Sequence, residues 1–182
     1  MRIIGGERRK KKLLAVPGMA TRPTADRVKE TLFNIIQNHI RGAFVLDLFS
    51  GTGALGLEAL SRGADHCLFV DNQRQALETC RKNIAACGFE ERSTVTKWDI
   101  ARNLGCLSRY PARLDLVFMD PPYRKGLADL ALAHLIQAGA LAPEGLVVVE
   151  HAADESPAAP DGLALTETRH YGSTALSFLS PL

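Results

Sequence analysis

Apolar and polar positions alternate along this chain in two periods. Positions 28, 32, 35, 36, 39 and 40, apolar except for His39, follow helical spacing; Thr24 can cap the first turn and Gly42 can stop the last. That spacing predicts a helix over 24–41. Residues 43–49 form a short apolar run carrying one acid, which reads as a buried strand. A helix over 54–62 closed by Gly63, a strand over 66–71 and a helix over 73–87 follow. The last of these carries Ala76, Leu77, Cys80, Ile84 and Cys87 on one side and Gly88 as its stop. Residues 93–99, 114–120 and 145–151 read as further strands, with a helix over 126–138 between the last two. Two short β segments, 163–168 and 174–179, are joined through Tyr171-Gly172-Ser173, which favours an antiparallel hairpin at one edge. The whole predicts an α/β fold. Its mostly parallel, seven-stranded sheet would be covered by helices on both faces, because parallel strands this apolar must be buried from both sides.

A length of 182 residues sets the scale at one domain, read as a basic arm over 1–23 followed by a single domain over 24–182. Hydrophobic residues make up 46% and charged residues 23%, enough for a core and unlike disordered or membrane classes. The apolar run 13–16 is too short for a signal-peptide core and no segment approaches a membrane span, so the expected location is cytoplasmic; a monomer is a separate expectation that no residue pattern fixes. The four cysteines form no C-x-x-C pair, so they read as buried small hydrophobes in a reducing compartment, and the five histidines are too scattered for a metal site. Charge changes this picture. Residues 1–29 hold nine basic side chains against Glu7 and Asp26, a surplus of +7 in a chain whose net charge is +2. Such an arm is either an edge that meets phosphates or a solvated tail.

The first candidate site lies where the 43–49 strand ends, at Asp47-Leu48-Phe49-Ser50-Gly51-Thr52-Gly53-Ala54-Leu55-Gly56. The glycines satisfy G-x-G-x-x-G between a strand and a helix, which permits a tight turn and a ligand's close approach to backbone N–H groups. Asp71 closes the next strand, where a carboxylate can accept ribose hydroxyls, and Asp99 the one after, where it can accept an adenine amine. Asp47 precedes the glycines. A carboxylate there repels a pyrophosphate and attracts an ammonium group, which favours S-adenosylmethionine over NAD among adenosine-bearing ligands. As purely structural groups, all three would be turn or helix caps.

The second candidate site is Asp120-Pro121-Pro122-Tyr123, directly after the apolar run 114–119. Consecutive prolines fix φ and donate no hydrogen bonds, so they hold the local carbonyls in one direction. With the carboxylate they make a cluster of acceptors suited to a planar exocyclic amine, and Tyr123 offers a face for stacking a base. Both sites fall at carboxyl ends of strands, where open α/β sheets bind ligands.

These residues in this order resemble class I S-adenosylmethionine-dependent amino-methyltransferases, with their Rossmann-like fold. More narrowly, Arg2-Ile3-Ile4-Gly5-Gly6, Thr21-Arg22-Pro23-Thr24, Asp26-Arg27-Val28-Lys29-Glu30, Leu32-Phe33-Asn34 and Tyr171-Gly172-x-Thr174-Ala175-Leu176-Ser177 resemble the RsmD family of bacterial 16S rRNA guanine-N2 methyltransferases. The match covers nearly the whole chain, with one departure: Glu7-Arg8-Arg9-Lys10-Lys11 stands where the family usually has a Tyr-Arg-Gly-Arg-like segment. The resemblance implies transfer of a methyl group to a guanine N2 in small-subunit ribosomal RNA, within a partly assembled ribosomal subunit. It implies cofactor contacts from Asp47, Phe49, Ser50, Gly51 and Gly53, from Asp71, Asn72, Asp99 and Ile100, and from Thr24. Asp120, Pro121, Pro122 and Tyr123 would carry the chemistry. Arg8, Arg9, Lys10, Lys11, Lys12, Arg22 and Arg27 would contact RNA, as would Arg124 and Lys125 unless they are a solvated surface pair. The same tetrad also fits an adenine-N6 or protein-glutamine methyltransferase. The glycine motif alone also fits an NAD-dependent oxidoreductase, and the basic arm alone an RNA-binding module without turnover.

Overall fold

A computed structural model describes residues 1–17, 24–110 and 113–182. The seven expected strands are present: β1 (Phe44–Leu48), β2 (His66–Asp71), β3 (Ser93–Lys97), β4 (Leu114–Met119), β5 (Leu141–Ala152), β6 (Leu163–Tyr171) and β7 (Thr174–Pro181). They form a seven-stranded sheet in the order β3-β2-β1-β4-β5-β7-β6. The first five are parallel, and β7 pairs antiparallel with both β5 and β6. The order reverses between β1 and β4, the switch point where such sheets open a crevice at their carboxyl ends.

Side chains alternate across the sheet, so each strand feeds two cores. Val45, Cys67, Phe69, Leu116, Phe118 and Val148 face α1 (Thr24–Ile35), α2 (Ala54–Ser61) and α3 (Arg74–Cys87). Leu46, Leu48, Val70, Val117, Met119 and Val147 face α4 (Leu127–Ala138) and a short 3-10 turn, Gly105–Arg109. All four cysteines are buried and unpaired, and burial pushes the Cys67 and Cys80 thiols up.

Several boundaries differ from the expected ones, and β3 ends at Lys97, so Asp99 lies two residues beyond the strand it was expected to close. The first helix stops at Ile35, and a 3-10 turn over Gln37–His39 carries the chain on, tightened by the His39 N–H donating to Ile36 O at 2.8 Å. β5 begins at Leu141 rather than 145, because Pro143, Glu144 and Gly145 sit in an irregular stretch where the register with β4 shifts. β6 runs on to Tyr171 through largely polar residues at the sheet's edge, where no apolar periodicity is needed.

Residues 1–17 fold back onto the helices. Arg2 and Lys12 pair antiparallel; Ile3 N–H donates to Lys11 O and Lys10 N–H to Ile3 O, each at 2.9 Å. Ile3 is fully buried in the first core. The backbone beside it ends on Glu58 of α2, a carboxylate with no exposed surface. Glu58 accepts the Ile4 and Gly5 N–H groups at 2.8 Å and pairs with Lys29 of α1 at 3.2 Å and Arg62 at 2.8 Å. Two cations and two backbone donors offset the cost of burying that charge. Burial lowers the Lys29 pKa, and Glu58 works against that shift. No helix of the described residues is long and apolar enough to cross a membrane.

Candidate active site

β1 delivers Asp47 to the α2 side of the sheet and then turns. Phe49 takes φ 60° and Gly51 φ 53°, both left-handed, before Gly53 (φ 77°) starts α2. A non-glycine residue held at positive φ is strained backbone, and such strain gathers at ligand sites. The three glycines have separate reasons to be glycine. A Cβ on Gly53 would meet Cys80 Sγ of α3 at 2.7 Å, and one on Gly56 would meet Cys67 Sγ of β2 at 2.5 Å, so packing of the loop against α3 and of α2 against β2 demands both. A Cβ on Gly51 would find only Phe49 O, at 3.9 Å: the loop is open at that residue.

The glycine N–H groups are all used inside the protein. Gly51 donates to Asp71 Oδ2 at 2.9 Å, Gly53 to Ser50 O at 2.7 Å and Gly56 to Asp47 Oδ2 at 2.9 Å. The approach of a ligand to these donors, expected from the motif, is therefore not what the loop offers. In a dinucleotide site such groups meet the pyrophosphate; here carboxylates and a carbonyl take them. Asp47 is buried, and burial pushes its pKa up to about 8, the Gly56 N–H acting against that shift and Asp71 adding to it.

Asp71 binds Gly51 through one oxygen and the Gln73 N–H, at 2.9 Å, through the other. Each oxygen keeps a second lone pair for a further donor. Asn72 beside it is exposed. Asp99 is exposed and accepts the Ala101 N–H at 3.2 Å, while Ile100 is buried. Ser50 is buried, and its hydroxyl has no hydrogen-bond partner among the described residues. An orphaned buried hydroxyl beside the glycine loop is a group that a bound polar ligand or an ordered water satisfies.

The second site stands next to the first. β1 and β4 pair in parallel with Leu48 opposite Met119, so residues 49–50 and 120–121 leave the sheet on neighbouring strands. Neighbouring strands lie ~4.8 Å apart. Asp120 is exposed and Pro121 buried. The Tyr123 hydroxyl donates to Glu150 of β5 at 2.9 Å and lies 3.4 Å from Thr174 Oγ1 of β7, which anchors the ring. Burial raises the Tyr123 pKa; the bond to Thr174 opposes this, while the charges of Glu150 and Asp120 add to it. Beside the tetrad a cavity of about 140 Å³ is lined by Pro121, Pro122, Tyr123, Lys125, His151 and Glu155, among others. Buried His151 has both ring nitrogens engaged, with Ala152 O at 2.9 Å and Ser177 Oγ at 2.8 Å.

The basic residues are dispersed by the fold. Arg8 Nε donates to Cys87 O at 2.6 Å and its guanidinium lies over Phe89, so it caps α3. Arg9, Lys10, Lys11 and Lys12 are exposed in the turn of the folded-back segment, and Arg27 is exposed on α1. Arg124 pairs with Asp154 at 2.9 Å on the surface, and its N–H donates to Glu155; Lys125 is exposed beside it. Arg22 and the Thr24 side chain lie outside the described residues. Pattern reading passed over Trp98, whose backbone N–H donates to Asp71 O at 3.0 Å, and His134, whose ring lies 3.0 Å from Ile100 O. It also passed over Asn83 and Glu150. Each is a single polar or aromatic residue at a position that periodicity assigns to packing.

A family model described as conserved hypothetical protein 95 matches residues 1–180. The chain is 36% identical over 176 residues to ribosomal RNA small subunit methyltransferase D of Escherichia coli, covering 96% of this chain and 87% of that one. The chain belongs to the RsmD family. The Haemophilus influenzae protein of the same name is 34% identical over 176 residues, covering 94% of this chain and 89% of its own. The solved structure of Escherichia coli yhhF superposes with a TM-score of 0.86 at 35% identity, covering all of this chain and 97% of that one. TrmN from Thermus thermophilus, 23% identical with a TM-score of 0.70 over 85% of this chain and 48% of its own, shares the fold. RsmD membership and these neighbours make the architecture a class I methyltransferase fold.

Proposed function

We propose that this protein transfers a methyl group from S-adenosylmethionine to the exocyclic N2 amine of a guanine in small-subunit ribosomal RNA. The observation that carries this reading is the placement of the open glycine loop and the diproline corner on paired neighbouring strands, Leu48 opposite Met119. The names of the RsmD relatives support ribosomal RNA as the substrate class.

The residues present fit the donor. Asp47 suits the ammonium of its amino-acid part, Asp71 the ribose hydroxyls and Asp99 the adenine amine. Ser50 Oγ is a buried hydroxyl in need of a partner. The inward-turned glycine N–H groups speak against a pyrophosphate, and so against NAD. When bound, S-adenosylmethionine supplies a methyl carbon on a positively charged sulfur.

The chain's own residues then act by positioning. The Asp120 carboxylate and the Pro121 carbonyl accept the N–H groups of the substrate amine. They aim its nitrogen toward the loop after β1 and stabilise positive charge that grows on it as it attacks. An acceptor-only corner favours guanine, whose N1–H and N2 amine are adjacent donors, over adenine, whose amine adjoins an acceptor. Tyr123, held by Glu150 and Thr174, is a fixed face for the extruded base. Extrusion costs a few kcal/mol in a duplex and least in a loop, which favours an unpaired target in a partly assembled small subunit. Asp120→Ala should abolish methyl transfer to ribosomal RNA while donor affinity, measured by calorimetry, stays close to wild type. Retained turnover would remove Asp120 from the mechanism.

A further inference from the structure

Asn83 sits two-thirds of the way along α3 with no exposed surface, among residues whose spacing otherwise serves packing. Its amide is engaged on two sides. Toward the N-terminal segment, Oδ1 accepts the Leu14 N–H at 2.7 Å and Nδ2 donates to Leu14 O at 3.1 Å. Toward the glycine loop, the same Nδ2 donates to Thr52 O at 2.9 Å. A side-chain amide has two N–H donors and one carbonyl acceptor, and all three are committed here. Leu14 belongs to no strand, yet Asn83 meets both its backbone groups as a strand partner would, while its side chain is exposed. Leu13 and Val16 on either side are buried.

Thr52 lies between Gly51 and Gly53, in the loop whose remaining ties run to β1 and β2. Gly56 is held by Asp47, and Gly51 by Asp71. Asn83 adds the tie to α3 and carries it on to the folded-back segment. Thr52 Oγ1 also contacts Met1 Sδ at 3.4 Å, so that segment borders the loop directly. A loop that places a hydroxyl and a carboxylate around a ligand keeps its affinity only if its backbone is held still from outside.

We propose that Asn83 is a positioning residue for the S-adenosylmethionine site, and that the N-terminal segment at Leu14 is through it part of that site's framework. The assignment rests on the cofactor reading given above. Asn83 acts on the donor without touching it: it fixes Thr52 O, and with it the turn that presents Ser50 and Gly51. Replacing the amide by a carboxylate of the same shape removes both donors and leaves two carbonyl oxygens facing a third acceptor.

The test uses the full chain and two variants that attack the tie from opposite ends. Asn83→Asp removes the donors on α3, and Leu14→Pro deletes the N–H that Oδ1 accepts. S-adenosylmethionine affinity is measured by calorimetry well below each variant's melting midpoint, together with kcat and KM on ribosomal RNA. The expected result is a Kd and donor KM raised about tenfold in both, with kcat at saturating donor lowered far less. A loss of about 1.4 kcal/mol corresponds to tenfold, within the range for a buried polar group left unsatisfied. Wild-type donor affinity in either folded variant, whatever its melting temperature, overturns the proposal. If neither variant folds, hydrogen exchange on the wild-type protein decides. Added donor should slow exchange of the Leu14 amide along with those of the loop, and slowing confined to the loop overturns the proposal. Wild-type protein that binds no S-adenosylmethionine overturns the cofactor reading and this inference with it; unaffected variants of a binding-competent protein overturn this inference alone.

Discussion

Asp47 has a structural task in the fold and, in the proposed function, a second one toward the ligand. Its Oδ2 fixes the Gly56 N–H, and its burial pushes the pKa from 3.8 to about 8. The unfolded chain ionises this group above about 3.8, while the fold keeps it protonated until about 8. The contribution of Asp47 to stability therefore falls as pH rises through that window. A cation bound beside it prefers the ionised form, so on the proposed reading binding of the donor's ammonium would release a proton below pH 8. Donor affinity should then rise with pH between 6 and 8, by up to about tenfold per unit. Asp47→Asn keeps an acceptor for Gly56 and should flatten that rise. Calorimetry of both proteins across the window checks it, and equal slopes would remove the ammonium from beside Asp47. Asp71 and Asp120 were legible in the sequence as charges closing apolar runs, whereas Asp99 lies two residues past Lys97, the end of a strand that is not apolar. What their oxygens bind was not legible: the use of the glycine N–H groups depends on how the loop turns, and no spacing encodes that.

At the scale of elements, the sheet was readable because parallel strands buried on both faces must be apolar throughout. The central strands follow from that rule and the antiparallel end of the sheet from Tyr171-Gly172-Ser173, whereas β3 and β6, at the two edges, are not apolar throughout. The docking of residues 1–17 was not readable. It depends on Glu58, which in a linear reading is one acid on an apolar helix and in the fold is a fully buried carboxylate that joins α1, α2 and the folded-back segment. Its removal leaves Lys29 buried without its carboxylate. Glu58→Ala should therefore cost about 3–5 kcal/mol, read by urea denaturation, and should expose residues 1–14 to proteolysis before the rest of the chain. A loss under about 1 kcal/mol would mean that Ile3 and its neighbours dock by apolar contact alone.

Over the whole molecule, the basic surplus of the first 29 residues does not act as one patch. Lys29 is buried against Glu58 and Arg8 caps α3, whereas Arg9 to Lys12 stay at the surface in the turn of the folded-back segment. That turn lies toward the ends of α2 and α3 that point away from the glycine loop, while the diproline corner lies at the carboxyl ends of the strands. Charge counting alone could not separate cations that hold the fold from cations left for a polyanion. The proposed chemistry, methylation of a guanine amine, belongs instead at the switch point between β1 and β4. The most direct test incubates the protein with methyl-labelled S-adenosylmethionine and small ribosomal subunits that lack the modification, then digests the RNA and identifies the labelled nucleoside. Transfer to guanine N2 gives label in N2-methylguanosine, lost in Asp120→Ala. Label in N6-methyladenosine or in protein, or no transfer at all from a donor that binds, would contradict it.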